Sequence, residues 1–314
     1  MISNTTDCAC VSLALDSMHT RFEMVLYGED DSRLQSAGEE AISEIEEIAG
    51  LLSRFEPSSD ISAINRSAGK AWTRVDGRTL ELIRRCKLSS DVLEGAFDLT
   101  ITPAMDVWGF YGDGKRAQLN EEPIEAILTI GMDHILLDPD DSSIMLDKCG
   151  MALDLGAVGK GYAIERAVKI LRDCGVKSGM VHGGTSSIYA IGVQPTGSSW
   201  SIAIRDQIDK GAYWQTIYLR DAAVSVSATH GKSITRDGRE YGHIIDPRTK
   251  NPVAGQSMAA VVGPDSVICE VLSTAAIVLG DRWTQLIAGG FGDYKVCRKS
   301  ESGMTRSLSH HESS

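Results

Sequence analysis

The pattern of apolar and polar positions predicts helices and strands that do not alternate regularly. Alternating apolar residues predict a pair of strands over residues 12–27. An apolar stripe at helical spacing, opposite a strongly acidic face, predicts an amphipathic helix over residues 37–55. A second helix is predicted over residues 80–93. The first third of the chain therefore combines paired strands with long helices.

Two later segments carry turn signals instead of a clear period. Residues 95–110 are rich in turn-forming residues, which predicts a loop. Residues 143–154 contain two short apolar runs on either side of Cys149-Gly150, which predicts a β-hairpin.

The second half of the chain is predicted to be rich in strands. A helix is predicted over 160–174, with Gly175 as its C-cap, and others over 266–279 and from Asp281. The predicted strands cover residues 178–182, 187–192, 200–205, 215–219, 222–227, 258–262 and 294–297.

This order of elements favours the α+β class, because it lacks the regular strand–helix–strand rhythm of a doubly wound sheet. Mixed, largely antiparallel sheets with packed helices are expected to form one compact unit over residues 12–298, with or without a division into two lobes. Residues 1–11 are predicted to be a flexible N-terminus, and residues 299–314 a disordered polar tail.

Composition narrows the classes of partner. The 314 residues include 31 Lys and Arg against 43 Asp and Glu, a formal net charge of −12. This excess of acid argues against nucleic-acid binding, which needs a basic face. Seven cysteines, with no Cys-x-x-Cys pair, favour reduced thiols. Without a signal peptide or a long apolar run, a cytoplasmic location without membrane contact is expected.

Three segments hold residue types that suit chemistry. In DLGAVGKGYAIERA, residues 154–167, a strand end leads through glycines into a helix N-terminus, which favours an anion. His243 opens HIIDPRTKNPV and is a candidate general base, because imidazole takes a proton near neutral pH. Glu270 and Thr274 lie four residues apart on an apolar helix, and their oxygens suit Mg²⁺ or Ca²⁺.

Each of these segments also has a purely structural interpretation. The glycine-rich segment matches neither GxGxxG nor the phosphate-loop pattern, and it is also typical of a simple turn. His243 also fits a strand-end histidine, and Glu270 also fits a solvent-facing position, with Thr274 bonded to the helix backbone. Taken singly, none of the three segments decides the function.

Seven segments in this order resemble the ApbE family, the FAD:protein FMN transferases. The likeness extends from about residue 17 to about residue 280. It implies an ApbE-like fold, with the FAD site between the lobes if there are two. The segments are SMHT, SRFEPSSDISAIN, GAFDLTITPAMDVWGF, DLGAVGKGYAIERA, GGTSSIYAIG, HIIDPRTKNPV and PDSVICEVLSTAAIVLG.

The resemblance also implies a reaction. Family members bind FAD as substrate and Mg²⁺ as cofactor, transfer FMN to a Thr or Ser of an acceptor flavoprotein, and release AMP. Two alternatives remain open. One is an FAD pyrophosphatase that gives FMN and AMP, and the other is a non-catalytic FAD-binding protein.

Positions in the shared motifs imply roles for single residues. His243 matches the catalytic base. The implied FAD-contacting residues are Met18, Phe55, Ala96, Phe97, Asp98, Asp154, Lys160 and Ile245. The implied metal site consists of the Ala157 backbone carbonyl, Glu270, Ser273 and Thr274.

The chain departs from the family pattern at several of these motifs. Glu270 stands where the family usually has Asp, so its carboxylate is one methylene further from the backbone. Phe55 stands where Tyr is more frequent, and the usual asparagine before the Gly-Gly pair is replaced in VHGGTSS. His230 stands where the family commonly has the Ser of Thr-Ser-Gly. At this position it would either add a phosphate contact or alter the acceptor site.

Overall fold

The computed structural model describes residues 8–111, 127–209, 211–231, 233–236, 238–301 and 303–305. Its largest sheet contains β1 (Ala9–Ser17), β2 (Thr20–Gly28), β6 (Ser178–Gly183), β7 (Ser187–Ile191), β10 (Ala222–Ala228), β15 (Ser257–Gly263), β16 (Lys295–Ser300) and β17 (Gly303–Thr305). These strands follow the order β1-β2-β6-β7-β10-β15-β16-β17. Every neighbouring pair in this order is antiparallel.

Smaller antiparallel sheets surround the largest one. One has the order β3-β5-β4, and the other three are two-stranded ribbons, β8–β9, β11–β12 and β13–β14. Their strands are β3 (Thr73–Arg74), β4 (Ile135–Asp138), β5 (Ser143–Leu146), β8 (Trp200–Arg205), β9 (Tyr213–Leu219), β11 (Ser233–Arg236), β12 (Arg239–Gly242), β13 (Ile245–Asp246) and β14 (Asn251–Pro252). The predicted α+β class with largely antiparallel sheets is confirmed.

The helices pack mainly on one face of the largest sheet. They are α1 (Asp31–Leu52), α2 (Asp60–Ser67), α3 (Gly77–Val92), α4 (Thr102–Trp108), α5 (Gly159–Asp173), α6 (Ser266–Leu279) and α7 (Trp283–Gly290). α1 packs against α5 and β1, and α6 packs against β10 and β15. Among the described residues, no helix has the length and apolar character needed to cross a bilayer.

The two faces of the largest sheet bury different clusters, because side chains alternate along a strand. On β2, Met24 and Leu26 belong to the main core under the helices. Val25 and Tyr27 face the opposite side, where they meet a second cluster that includes Trp200. The rings of Tyr27 and Trp200 lie 6.0 Å apart. The β8–β9 ribbon therefore covers the face that the helices leave open.

Most predicted elements are present. The strand pair, the long helices and the strands of the second half all form at or near the predicted positions. α1 starts earlier than predicted, because the Asp30 side chain accepts a hydrogen bond from the Arg33 N–H and caps the helix. Because the capping residue lies outside the apolar stripe, the stripe alone does not predict where the helix begins.

The prediction of a loop over residues 95–110 is wrong in part, because it contains α4. Pro103 occupies the first turn of this helix, where its missing N–H costs nothing. Gly109 ends the helix with φ 82°, in the left-handed region that glycine adopts easily. Seven residues are too few to show a helical period between such strong turn signals.

The hairpin predicted over residues 143–154 is also wrong. β5 pairs with β3 and β4, and not with the segment that follows it. That segment is held by a side chain, since Asn65 accepts from the Leu153 N–H at 2.7 Å and donates to the Leu153 carbonyl at 3.0 Å. A partner 88 residues away in sequence leaves no local signal.

Both chain ends are more structured than predicted. β1 includes residues 9–11 of the predicted flexible N-terminus. β16 continues to Ser300, and β17 pairs with it. Residues 1–7 and 306–314 lie outside the described residues, and the single unit over 12–298 stays a prediction.

Candidate active site

A cavity of about 560 Å³ lies where distant parts of the chain meet. The segment before α4, the start of α5 and one face of α6 form part of its wall, and the end of β10 and the segment from β12 to β13 form the rest. It brings together most residues that the motifs indicate. These are Phe55, Ala96, Phe97, Asp98, Asp154, Ala157, Lys160, His243, Ile245, Glu270 and Thr274.

Met18 lines a smaller neighbouring cavity of about 260 Å³. Phe55, Asp154 and Lys160 border both cavities. Met18 and His19 form the turn between β1 and β2, with φ 49° and 57°. Residues other than glycine rarely adopt this conformation. A ligand in the larger cavity would have to extend past the shared wall to reach Met18.

Glu270 projects from α6 and is almost completely buried. Its Oε1 accepts from the Ser187 hydroxyl at 2.5 Å, and its Oε2 accepts from the Gly161 N–H at 2.7 Å. Lys160 Nζ lies 3.8 Å from Oε1. Burial raises the pKa of Glu270, while the Lys160 charge and the two hydrogen bonds counteract this shift. The carboxylate is thus oriented by the protein and faces only one nearby cation among the described residues.

Ser273 is completely buried and does not line the cavity. Its hydroxyl donates to the Glu270 carbonyl at 3.1 Å and lies 2.8 Å from the Ser227 hydroxyl. Thr274 does line the cavity, and its hydroxyl lies 3.3 Å from that of Ser227. Of the side chains implied for the metal, Glu270 and Thr274 border the cavity, whereas Ser273 lies beneath its wall.

The oxygen donors at this wall fit a hard divalent cation. Glu270, Thr274 and Ala157 border the same cavity, and each of these residues carries oxygen atoms. Mg²⁺ prefers oxygen ligands and usually keeps positions for water or substrate phosphates. Within the described ranges, no group of three His, Cys, Asp or Glu side chains could hold a metal. A cation here would therefore draw on hydroxyl, backbone carbonyl, water or ligand oxygens in addition to the Glu270 carboxylate.

Asp154 organises the wall between the two cavities. Its Oδ1 accepts from the Gly156 N–H at 2.6 Å, and its Oδ2 accepts from the Tyr111 hydroxyl at 2.5 Å. Arg54 Nη1 lies 3.4 Å from Oδ2, and the guanidinium lies 3.8 Å from the Tyr111 ring centroid. Burial and the Asp154 charge raise the pKa of Tyr111. Tyr111 therefore stays a neutral donor, and Arg54 is paired with Asp154.

Asp98 occupies the part of the wall before α4. Its Oδ1 accepts from both the N–H and the hydroxyl of Thr100, at 2.7 and 2.6 Å. Burial raises the pKa of Asp98, while the Thr100 hydrogen bonds and the Lys250 charge oppose this rise. Both of these hydrogen bonds come from Thr100, and they hold the Asp98 carboxylate in place at this wall.

His243 directly follows β12 and borders the cavity together with Ile245 and Pro247. The turn after it is held by Asp246, which accepts from the Arg248 N–H at 2.9 Å and from the Arg248 side chain at 2.8 Å. In the HIIDPRT segment, therefore, Asp246 and Arg248 shape the turn. His243 borders the cavity just before this turn.

Apart from His230, for which the sequence predicts a phosphate contact or an altered acceptor site, the other lining residues were not predicted as site residues. Ser225 and Ser227 stand two apart on β10, a spacing that places both on one face, and Thr185 and Ser186 belong to the GGTSS motif. No sequence signal marks Gln207 or Tyr111. The full set comprises Ile101, Met105, Tyr111, Gly156, Thr185, Ser186, Gln207, Ser225, Val226, Ser227, Ala228, His230, Ile244 and Pro247.

Comparison with known proteins places this geometry in a family. The sequence model of the ApbE family matches residues 18–296. The chain belongs to the ApbE family. A FAD:protein FMN transferase from Klebsiella pneumoniae is 30% identical over 251 residues, which cover 79% of this chain and 73% of that relative. A FAD:protein FMN transferase from Haemophilus influenzae is 25% identical over 95% of this chain and 90% of its own length.

Solved ApbE structures share the fold. The ApbE protein from Thermotoga maritima superposes with a TM-score of 0.84 at 25% identity, covering 96% of this chain and 97% of that one. The apo flavinyl transferase ApbE from Pseudomonas stutzeri gives a TM-score of 0.80 at 24% identity, over 94% and 92% of the two chains. The resemblance inferred from the motifs is confirmed, and this ApbE chain is a transferase. The roles of its single residues stay predictions.

Proposed function

We propose that this protein transfers FMN from FAD to a Thr or Ser hydroxyl of an acceptor protein and releases AMP. The observation that carries the proposal is one cavity that joins a candidate base, His243, to a buried carboxylate, Glu270, and an apolar wall. Relatives of this chain are named FAD:protein FMN transferases, which supports transfer of FMN from FAD to a protein. The acceptor is a protein that presents an accessible hydroxyl.

The cavity divides into parts that suit different portions of FAD. Phe97, Ile101, Met105 and Ile245 offer apolar surface to an aromatic ring system. The glycine-rich start of α5 brings backbone N–H groups and a helix N-terminus to the same space, which favours phosphate groups. The flavin and the pyrophosphate would accordingly lie between α4 and α5.

His243 serves as the general base in this scheme. It accepts the proton of the acceptor hydroxyl as that oxygen attacks the flavin-side phosphorus. The bond between this phosphorus and the bridging oxygen breaks, and AMP leaves with the bridging oxygen. The new phosphoester joins FMN to the acceptor side chain. The proton lost by the acceptor resides on His243, so charge and atoms balance.

Glu270, Thr274 and the Ala157 carbonyl would hold Mg²⁺. When bound, the cation would neutralise charge on the phosphate oxygens during transfer. Ser187 and the Gly161 N–H orient the Glu270 carboxylate, and Ser227 lies within hydrogen-bond distance of the Thr274 hydroxyl. These neighbours would keep both oxygen ligands in place before the cation arrives.

The test is acceptor-dependent flavinylation. Purified protein, FAD and Mg²⁺ are incubated with a panel of apo acceptor domains from proteins that carry covalent FMN. Flavin fluorescence that survives denaturing electrophoresis is the expected result. AMP release without any acceptor would identify a pyrophosphatase instead. FAD binding without AMP release or transfer across the panel would identify a binding protein.

Replacing His243 tests its role directly. His243→Ala is expected to lower transfer by about 10²- to 10⁴-fold, the usual contribution of a positioned base. FAD binding should persist, because the base acts on the acceptor. His134→Ala is the matched control, since His134 pairs with Asp147 outside the cavity. Transfer that survives in His243→Ala would remove His243 from the mechanism.

The expected cytoplasmic location stays a prediction.

A further inference from the structure

The cavity presents more negative than positive side chains to its contents. Asp98, Asp154 and Glu270 border it, and Lys160 is the one Lys or Arg among its described lining residues. Lys160 itself lies 3.8 Å from Glu270. A ligand with a pyrophosphate therefore needs further hydrogen-bond donors from the protein, even when a cation is bound.

His230 is a cavity-lining group with an unused ring nitrogen. Its Nδ1 is buried and has no hydrogen-bond partner among the described residues. A buried polar atom without a partner costs free energy, and a rotation of the ring toward a ligand in the cavity would supply the missing partner.

The backbone beside His230 is held rigidly. Thr229 is buried, and its N–H donates to the Ser257 carbonyl at 2.9 Å. The Thr229 hydroxyl in turn accepts from the Ser257 N–H at 3.0 Å. His230 thus emerges from a fixed point at the end of β10, as a preorganised binding group requires.

A glycine contact brings His230 next to the segment that carries His243. A Cβ on Gly242 would lie 2.2 Å from the Thr229 carbonyl oxygen, so only glycine permits this approach. The contact closes the base of the β11–β12 ribbon. His230 and His243, which follow the two contacting residues directly, therefore border one part of the cavity.

We propose that the His230 imidazole donates a hydrogen bond to the pyrophosphate of the bound dinucleotide. Phosphate oxygens are strong acceptors, and an imidazole N–H adds a donor to a wall whose described residues include one Lys and no Arg. His230 is then a substrate-binding residue that complements His243, which handles the acceptor proton. The inference rests on the proposed function, because it takes FAD as the ligand.

The test measures binding in the presence of EDTA, which removes divalent cations and so prevents metal-dependent turnover of FAD. FAD, ADP and riboflavin are titrated by calorimetry into the parent protein and His230→Ala. The affinity of His230→Ala for FAD and ADP is expected to fall about 10- to 100-fold, as for a lost hydrogen bond to a charged group. Riboflavin, which lacks phosphate, should bind both proteins equally.

Two further variants guard against an indirect effect. His230→Asn places an amide near the position of Nδ1 and is expected to retain FAD affinity within a few fold. His182→Ala removes a histidine that interacts with Glu23 and Gly184 outside the cavity, and it should not change FAD binding. Equal losses for Asn and Ala, or equal losses for FAD and riboflavin, would overturn the proposal.

The outcomes also separate this inference from the proposed function. If the parent binds FAD and His230→Ala binds it equally well, only the phosphate role of His230 fails. If His230→Ala instead raises the KM for the acceptor protein alone, the residue belongs to acceptor recognition and the inference is overturned. If the parent binds FAD neither with EDTA nor with Mg²⁺, the proposed function fails, and the inference fails with it because it takes FAD as the ligand.

Discussion

The buried carboxylate of Asp206 depends on a lysine far along the chain. Asp206 begins the loop that leaves β8, where it accepts from the N–H groups of Ile208 and Asp209, each at 2.9 Å. Lys299 on β16 forms an ion pair with its other oxygen. Burial alone would raise the pKa of Asp206, but the Lys299 ammonium and these N–H groups outweigh burial and lower it.

Replacing Lys299 is therefore expected to destabilise the fold in a pH-dependent way. Lys299→Met leaves a buried charge with fewer donors and should cost about 1.5–3 kcal/mol in the free energy of unfolding at pH 7. A native pKa below the unfolded value gives stability above about pH 3.9 that is lost as the pH falls further. The difference between parent and variant should therefore shrink in acid, as measured by urea unfolding.

The matched control for this variant lies on the same strand. Lys295 is exposed at the other end of β16, so Lys295→Met should change stability by less than about 0.5 kcal/mol. Equal stability of the two variants at pH 7 would contradict the role given to Lys299. The ion pair between Lys299 and Asp206 also explains why residue 299 belongs to the fold and not to the predicted tail.

Single site residues are predictable to different extents. Glu270 and Thr274 can be paired from sequence, because a helix puts residues four apart on one face. The Tyr111 hydroxyl and the Arg54 guanidinium contact Asp154 across 43 and 100 residues of sequence, respectively. No local pattern encodes such contacts, so Tyr111 and Arg54 become recognisable as site residues only in the folded chain.

At the scale of elements, the approach of α5 to α6 shapes the site. A Cβ on Gly161 would lie 2.6 Å from Glu270 Oε2 and 2.8 Å from the Ser266 carbonyl. Glycine thus permits a helix contact in which the Gly161 N–H reaches the carboxylate. Helix interiors ordinarily disfavour glycine by about 0.5–1 kcal/mol relative to alanine, so this position sacrifices local stability for the contact.

Two glycine-to-alanine variants separate propensity from packing. Gly50 lies in α1 with no heavy atom within 4 Å of its added Cβ, so Gly50→Ala should stabilise by about 0.5–1 kcal/mol. Gly161→Ala should destabilise, because overpacking typically costs about 1–3 kcal/mol and outweighs the same gain. Guanidinium unfolding at pH 7 measures both values. Stabilisation of both variants would show that α5 and α6 can move apart at residue 161 without a loss in the free energy of unfolding.

The predictability of elements follows their length and their locality. α1 and α6 have apolar faces that span several turns, so the period alone reveals them. α4 has seven residues, and its boundaries depend on Pro103 and Gly109. The partners of β5 are β3 and β4, and a search for adjacent apolar runs does not find them.

At the scale of the whole molecule, charge and cavity are linked. The net charge of −12 disfavours an anionic ligand in general, and Asp98, Asp154 and Glu270 concentrate negative charge at the cavity. Local donors and a bound cation would each make the potential at the cavity less negative and so favour a pyrophosphate there. A bound ligand would also contact wall segments from Phe55 to Thr274. Ligand binding should therefore raise the free energy of unfolding of the whole fold.

Thermal unfolding with ligands tests this linkage. FAD at about 100 times its Kd should add about 2.7 kcal/mol to the free energy of unfolding. In a chain of 314 residues, this corresponds to a rise in Tm of about 4 °C. Mg²⁺ should increase the FAD-dependent shift in the parent protein. Glu270→Gln should lose this magnesium increment, because a neutral amide binds the cation more weakly than a carboxylate.

His243→Ala provides the control for this experiment. It should retain the full shift with FAD and Mg²⁺, because the base contacts the acceptor hydroxyl and holds neither ligand. A parent protein whose Tm does not respond to FAD would contradict the assignment of the cavity. An unchanged magnesium increment in Glu270→Gln would instead keep FAD in the cavity but move the cation to other oxygens. Stability therefore reports on the two ligand sites separately, without any need to identify the acceptor.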